Sequence, residues 1–254
     1  MTPQEAMVHH MILLKGKPLK EKLIYILTYY YRVIIGIIIA VFFLVSWVFN
    51  LVNMKESVLN LACVNAPVYP EQVLAYSEQV AVHLGIDRER QEVYVDTNLY
   101  LGDESVTDSY ETVNKIFTMV ASEQIDAITG DYHTILQFAY ADYFEDLSLL
   151  LSEEEFDRYA DLFLYIDLAL IENADPDDGI SKYPDPSDPA AMEKPVPVLI
   201  RIPSYSGFMQ TFYPDGGNET AVGIVVNTPH PENVIHFLRL TLEAPENDSE
   251  LPDL

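Results

Sequence analysis

Cysteine and positive charge are what this sequence has least of. A single cysteine, Cys63, in 254 residues excludes an internal disulfide, so any folded part must be held by its apolar core alone. Lys and Arg number 14 against 40 Asp and Glu. The deficit is uneven. Residues 1–55 hold six Lys/Arg and two Asp/Glu, a net charge of +4, whereas the remaining 199 hold eight against 38, a net of −30. A segment that acidic repels phosphate backbones, so nucleic acid is not an expected partner. The acidity is expected to serve solubility. Motifs that carry chemistry are equally scarce. Ser204 and Ser206 lie near Gly207 without forming a G-x-S-x-G elbow, which argues against a serine nucleophile. His9 and His10 are adjacent, and His230 and His236 sit near the far end, none with a metal-ligand spacing, so surface histidines are expected. Paired carboxylates arise by number alone among so many acids, and their abundance does not argue for a hydrolase.

Charge is also missing from one long stretch, residues 33–54, VIIGIIIAVFFLVSWVFNLVNM, bounded by Arg32 and Lys55. A helix needs roughly 20 apolar residues to span about 30 Å of hydrocarbon, and this run is long enough. A single transmembrane helix is expected over 33–54. Signal-peptide apolar regions are shorter, about 7 to 15 residues. Lys15, Lys17, Lys20, Lys22 and Arg32 precede the run and Lys55 alone follows closely, which predicts a cytoplasmic basic segment over 1–32 and an extracytoplasmic remainder. Residues 15–31 mix Lys with Tyr25, Tyr29, Tyr30 and Tyr31 and read as an interfacial lead-in. Asn60-Leu61-Ala62-Cys63 has the outline of a lipoprotein signal, but Asn60 stands where an apolar residue is required, and a buried strand cysteine is expected instead.

Beyond the run, strand and helix patterns alternate. Residues 58–64 read as a strand. Pro70 opens a helix with Val73, Leu74, Val80, Ala81 and Leu84 on one face, stopped by Gly85. Residues 92–96 alternate as a half-buried strand does; Ser105 and Asp108 have capping-box spacing ahead of Val113, Ile116, Phe117 and Val120. A third strand is expected over 125–128, ending at Thr129-Gly130-Asp131, with Asp131 capping a helix through Ile135, Leu136, Phe138 and Ala139. Ser152 and Glu155 form a second capping box for a helix through Phe156, Tyr159, Leu162 and Phe163. Residues 164–171 are apolar and fit either a strand or a helix. Residues 172–197 read as an acidic loop. Gly179 as the sixth position of a calcium-hand loop puts Ala174 and Pro176 where side-chain oxygens are required, so that motif fails. Strands are expected over 196–202 and 221–226, a last helix from Pro231 through Val234, Phe237, Leu238 and Leu242, and an acidic tail over 244–254.

This alternation predicts an α/β fold: one N-terminal transmembrane helix, then an extracytoplasmic domain over 56–243 with a mostly parallel sheet and helices on its faces. Ligands of such folds bind beyond the carboxyl ends of the strands. The candidate positions are Asn65, Thr97, Asn98, Gly130, Asp131 and Tyr132.

The segment 122–155, SEQIDAITGDYHTILQFAYADYFEDLSLLLSEEE, resembles extracellular solute-binding proteins of the type II periplasmic-binding class. Asp126, Gly130, Phe138, Ala139, Phe144, Asp146 and Leu147 stand at the matching places, and 223–242, GIVVNTPHPENVIHFLRLTL, is similar to a late strand and helix of that class. Single-span envelope proteins of Gram-positive bacteria have a similar basic start. The resemblance implies a solute-binding-like domain whose second lobe is incomplete, since the part beyond the apolar run has the size of one ordinary domain. The expected function is a non-catalytic binding or interaction module on a membrane lipid bilayer, with a small-molecule ligand or an envelope protein as partner and no cofactor or metal. A structural docking component of a cell-envelope complex is the alternative.

Overall fold

A computed structural model of the protein describes residues 18–52, 54–102, 106–173, 183–215 and 219–243. Asp175, Asp177, Asp178 and Gly179 of the acidic loop, the cap residue Ser105, His9, His10, Lys15, Lys17 and the tail 244–254 lie outside the described residues. The chain divides into two compact units, Met1–Met54 and Lys55–Leu254.

Among the described residues the first unit holds one helix, α1 (Leu19–Val52, 34 residues). Its stretch Leu27–Phe49 is 23 residues long with mean hydropathy 2.6 and no share of it buried. At 1.5 Å per residue that stretch is about 35 Å long, enough to cross a membrane. The lead-in expected over 15–31 is already helical from Leu19, because Leu, Lys, Glu and Ile there have good helix propensity and nothing interrupts them.

The second unit is built on β1 (Glu56–Val64), α2 (Pro70–His83), β2 (Gln91–Leu99), α3 (Val106–Ala121), β3 (Ala127–Asp131) and α4 (Tyr132–Tyr140), followed by the short helices α5 (Leu147–Leu150) and α6 (Glu153–Tyr159). Then come β4 (Phe163–Asp167), α7 (Leu168–Glu172), β5 (Pro195–Arg201), α8 (Gly207–Phe212), β6 (Thr220–Ile224) and α9 (Pro231–Leu242). The six strands form one sheet in the order β2-β1-β3-β6-β5-β4. Side chains alternate across it as the pleat requires. Leu59, Leu61 and Cys63 of β1 meet α2, α8 and α9 on one face, while Ala62 and Val64 meet α3 and α4 on the other. The first face is centred on the rings of Tyr76, Phe208, Phe212 and Phe237, packed edge-on and offset at 4.7–5.6 Å between centroids.

Several local expectations hold. Pro70 starts α2, and Gly85 just after it takes φ +66, the conformation that glycine adopts without strain. Asp131 caps α4, Ser152 and Glu155 form a capping box on α6, and Pro231 starts α9. Others are corrected. The sheet is mixed: β1 pairs in parallel with β2 and β3, but β6 lies antiparallel between β3 and β5, and β4 is antiparallel to β5. The connections from β4 to β5 and from β5 to β6 carry only the short helices α7 and α8, of five and six residues, in place of the longer helices that cross between the parallel strands. The ambiguous 164–171 divides into β4 and α7, and the helix expected through Phe163 ends at Tyr159. Leu74 and Phe117, expected inward, are 63% and 57% exposed.

Candidate functional site

β1 connects to β2 on one side while β3 lies on its other side, so the connections leaving the carboxyl ends of β1 and β3 diverge. That is the switch point at which open α/β sheets form a crevice. β5 runs in the same direction as β3, which brings its carboxyl end, Arg201, to the same edge.

The six residues expected there are placed as follows. Asn65 ends β1 with φ 55, a left-handed value that asparagine tolerates, and its side chain bonds the backbone of Leu101 twice: Nδ2 donates to the carbonyl at 2.6 Å and Oδ1 accepts from N–H at 2.9 Å. Its polar groups are thereby spent on fastening β1 to the end of β2. Thr97 and Asn98 were expected in a loop, but β2 runs on to Leu99 and holds both. The strand continues because buried Asp96 accepts from the Asn98 N–H at 2.9 Å and from Lys115 Nζ of α3 at 2.6 Å, which covers an otherwise unpaired edge. Gly130 lies inside β3, not in a turn, and an added Cβ would come within 3.1 Å of Ile135 Cγ2 and 3.2 Å of Val64 Cβ. Asp131 accepts from the N–H groups of His133 and Thr134 at 3.0 and 3.3 Å. Tyr132 is half-buried, its ring under the guanidinium of Arg201 with 5.6 Å from Cζ to the ring centroid. The structure brings Asn65, Gly130, Asp131 and Tyr132 to one edge and leaves Thr97 and Asn98 along β2.

Among the described residues, three clefts follow that edge. The largest, about 760 Å³, has Leu101 and Gly102 on one wall, Ser109, Tyr110 and Val113 from the start of α3, and His133, Thr134 and Gln137 from α4. Ser109 Oγ donates to the Gly102 carbonyl at 2.9 Å and lies 3.2 Å from the Gly102 N–H, so the wall is braced at its rim. His133 also borders a second cleft of about 400 Å³, shared with Tyr132, Leu136 and residues 183–186. A third, about 280 Å³, lies between Asp161 and Tyr205 with Arg201 in its wall.

The opposite edge carries a polar cluster that the sequence did not reveal. Asp126, fully buried, accepts from the Asn60 N–H at 2.6 Å and from Thr228 Oγ1 at 2.5 Å, and His230 Nδ1 lies 3.1 Å from its Oδ1. An aspartate orienting an imidazole is half of a nucleophilic triad. Among the described residues no hydroxyl or thiol is hydrogen-bonded to the other imidazole nitrogen, and Thr228 is committed to the carboxylate. His230, expected on the surface, is instead tied at its Nδ1 to a carboxylate that lies 104 positions earlier. Nothing local in either segment announces the pair.

Cys63 is buried in β1 as expected, and burial pushes its thiol up to about 12. Beside it Tyr213 Oη lies 3.0 Å from the Val64 carbonyl and 3.1 Å from Thr129 Oγ1, and burial pushes this phenol well up as well. Among the described residues no group of three His, Cys, Asp or Glu is placed to hold a metal ion.

No protein-family model matches the chain, and no curated protein or solved structure matches it.

Proposed function

We propose that this chain is a membrane-anchored, extracytoplasmic binding module, non-catalytic, that takes a small ligand at the carboxyl edge of its sheet. The observation that carries the reading is the cleft of about 760 Å³. It lies where strand connections diverge, and the polar groups of Ser109, His133, Thr134 and Gln137 reach it from two different helices. The helix α1 supplies the anchor, and the lysines ahead of it orient the second unit outward. The likeness of 122–155 to solute-binding proteins agrees with such a role.

The test is to purify the full-length chain from its native membrane, identify the small molecule carried with it, and repeat with His133→Ala/Gln137→Ala. Loss of the small molecule in the double variant at unchanged folding supports the cleft. Retention of it would move binding elsewhere.

One observation favours a second reading, docking to an envelope protein. Tyr100 and Tyr110, 69% and 70% exposed, belong to the segments that frame the same cleft, and exposed tyrosines are enriched at protein interfaces. Recovery of a stoichiometric protein in place of a small molecule would select it.

A further inference from the structure

Arg201 is unusual among the described cations of the second unit. Lys115, Arg158, Lys194 and Arg239 each have a carboxylate partner, and Lys55, Arg88 and Arg90 are exposed to water. Arg201 is half-buried, and among the described residues it has no carboxylate partner. Its Nη2 donates to Ser187 Oγ and its plane lies over the Tyr132 ring, yet among the described residues its buried Nε–H has no acceptor. A buried donor left unpaired is unfavourable, and a charged one more so.

Arg201 lines the 280 Å³ cleft with Ser204 and Tyr205 nearby. Its Nε is enclosed, so a ligand in that cleft would meet the outer Nη edge of the guanidinium, where two N–H groups match the two oxygens of a carboxylate in a geometry lysine cannot reproduce. Ser187 Oγ, already accepting from Nη2, keeps its own hydrogen to donate. Asp161 stands at the cleft wall but is exposed, where water and salt screen its repulsion.

We propose that Arg201 is the anchor for a carboxylate group on a small ligand, with Tyr132 holding the guanidinium plane and Ser187 completing the site. The proposal rests on the reading of the carboxyl edge as the binding face and names the chemistry of what binds there.

The experiment uses the full chain in detergent micelles, titrated calorimetrically with succinate and with succinamide, its uncharged isostere. Succinate is expected to bind saturably at millimolar concentrations or below, and succinamide at least about tenfold more weakly. Arg201→Gln is expected to abolish succinate binding, Arg201→Lys to weaken it about tenfold by losing the planar fork while keeping the charge, and the exposed control Arg88→Gln to leave it unchanged. If Arg201→Gln fails to fold, the lysine variant and the isostere pair carry the test. Absence of saturable succinate binding, equal binding of the isostere, or wild-type binding by the lysine variant would overturn the anchor. His133→Ala/Gln137→Ala separates the two readings. Succinate binding that survives it but fails in the Arg201 variants leaves the anchor standing without the large cleft. A co-purified ligand lost with His133 and Gln137 but indifferent to Arg201 does the reverse.

Discussion

The carboxylate of Asp126 and the imidazole of His230 meet at 3.1 Å across 104 positions of sequence, and the contact joins the start of β3 to the turn that opens α9. Asn60 of β1 and Thr228 close the same carboxylate, so one buried side chain ties three elements together. Replacing Asp126 by alanine leaves the Asn60 amide and the Thr228 hydroxyl without their acceptor. A loss of about 2–4 kcal/mol is expected, the usual range for removing hydrogen bonds to a buried charged group. Denaturant unfolding of the full chain in micelles, followed by near-ultraviolet circular dichroism, measures it. A loss within experimental error would show that the cluster contributes nothing to holding α9.

Glu155 offers a test through pH. Its carboxylate accepts from Arg239 Nε at 2.6 Å and closes the capping box with Ser152, and these contacts hold its pKa down to about 2 from the usual 4.5. A depressed folded-state value means that the charged form is the one that stabilises. The contribution is fully present above about 4.5 and is lost as pH falls toward about 2. Glu155→Gln should therefore lower stability at neutral pH, by about 1 kcal/mol once screening of the partly exposed Arg239 is allowed for. The difference between variant and wild type should vanish at the acid end. Parallel unfolding curves at every pH would rule out the pair as their source.

Two glycines are expected to reject a methyl group to different degrees. At Gly223 an added Cβ would lie 2.6–2.7 Å from three atoms of the Phe144 ring, which is itself buried, whereas at Gly130 the closest contact is 3.1 Å. Overpacking of this kind costs about 1–3 kcal/mol. Gly223→Ala belongs at the upper end and Gly130→Ala at the lower. Melting temperatures of the two variants rank them, and the reverse order would mean that Phe144 moves aside more readily than Ile135 and Val64.

Orientation is testable on cells whose outer wall has been removed. Added protease should digest beyond about residue 55 and spare the N-terminal segment, as the lysine distribution requires. Residues 55–254 produced alone should be soluble, monomeric and of mixed α/β circular dichroism, since both faces of the sheet are covered by their own helices. Protection of the second unit together with digestion of the first would reverse the topology.

What was legible in the sequence was local. Pro70, Gly85, Asp131, the Ser152–Glu155 pair and Pro231 mark helix ends through bonds made within four residues, and each stands where its residue type predicts. The apolar span was legible for the same reason, as a length and a composition. The antiparallel half of the sheet was not, because strand direction there is set by pairings between distant segments, such as β6 with β3. Thr97 and Asn98 were assigned to a loop because their composition is polar. The lysine that pairs with Asp96 comes from another element, 19 positions later. Arg201 beside Tyr132 and Asp126 beside His230 are products of that same assembly, and neither has a pattern that a window of sequence could contain.

The lone thiol near the carboxyl end of β1 has one more consequence. A sulfur with no exposed surface and an ionisation near 12 forms almost no thiolate at neutral pH, so alkylating reagents find nothing to attack while the sheet is intact. Because Cys63 is the chain's only cysteine, every labelling event must record an opening of the central strands themselves. The protein thus carries its own stopwatch for opening of the sheet, one that can be read in the purified chain without moving a residue.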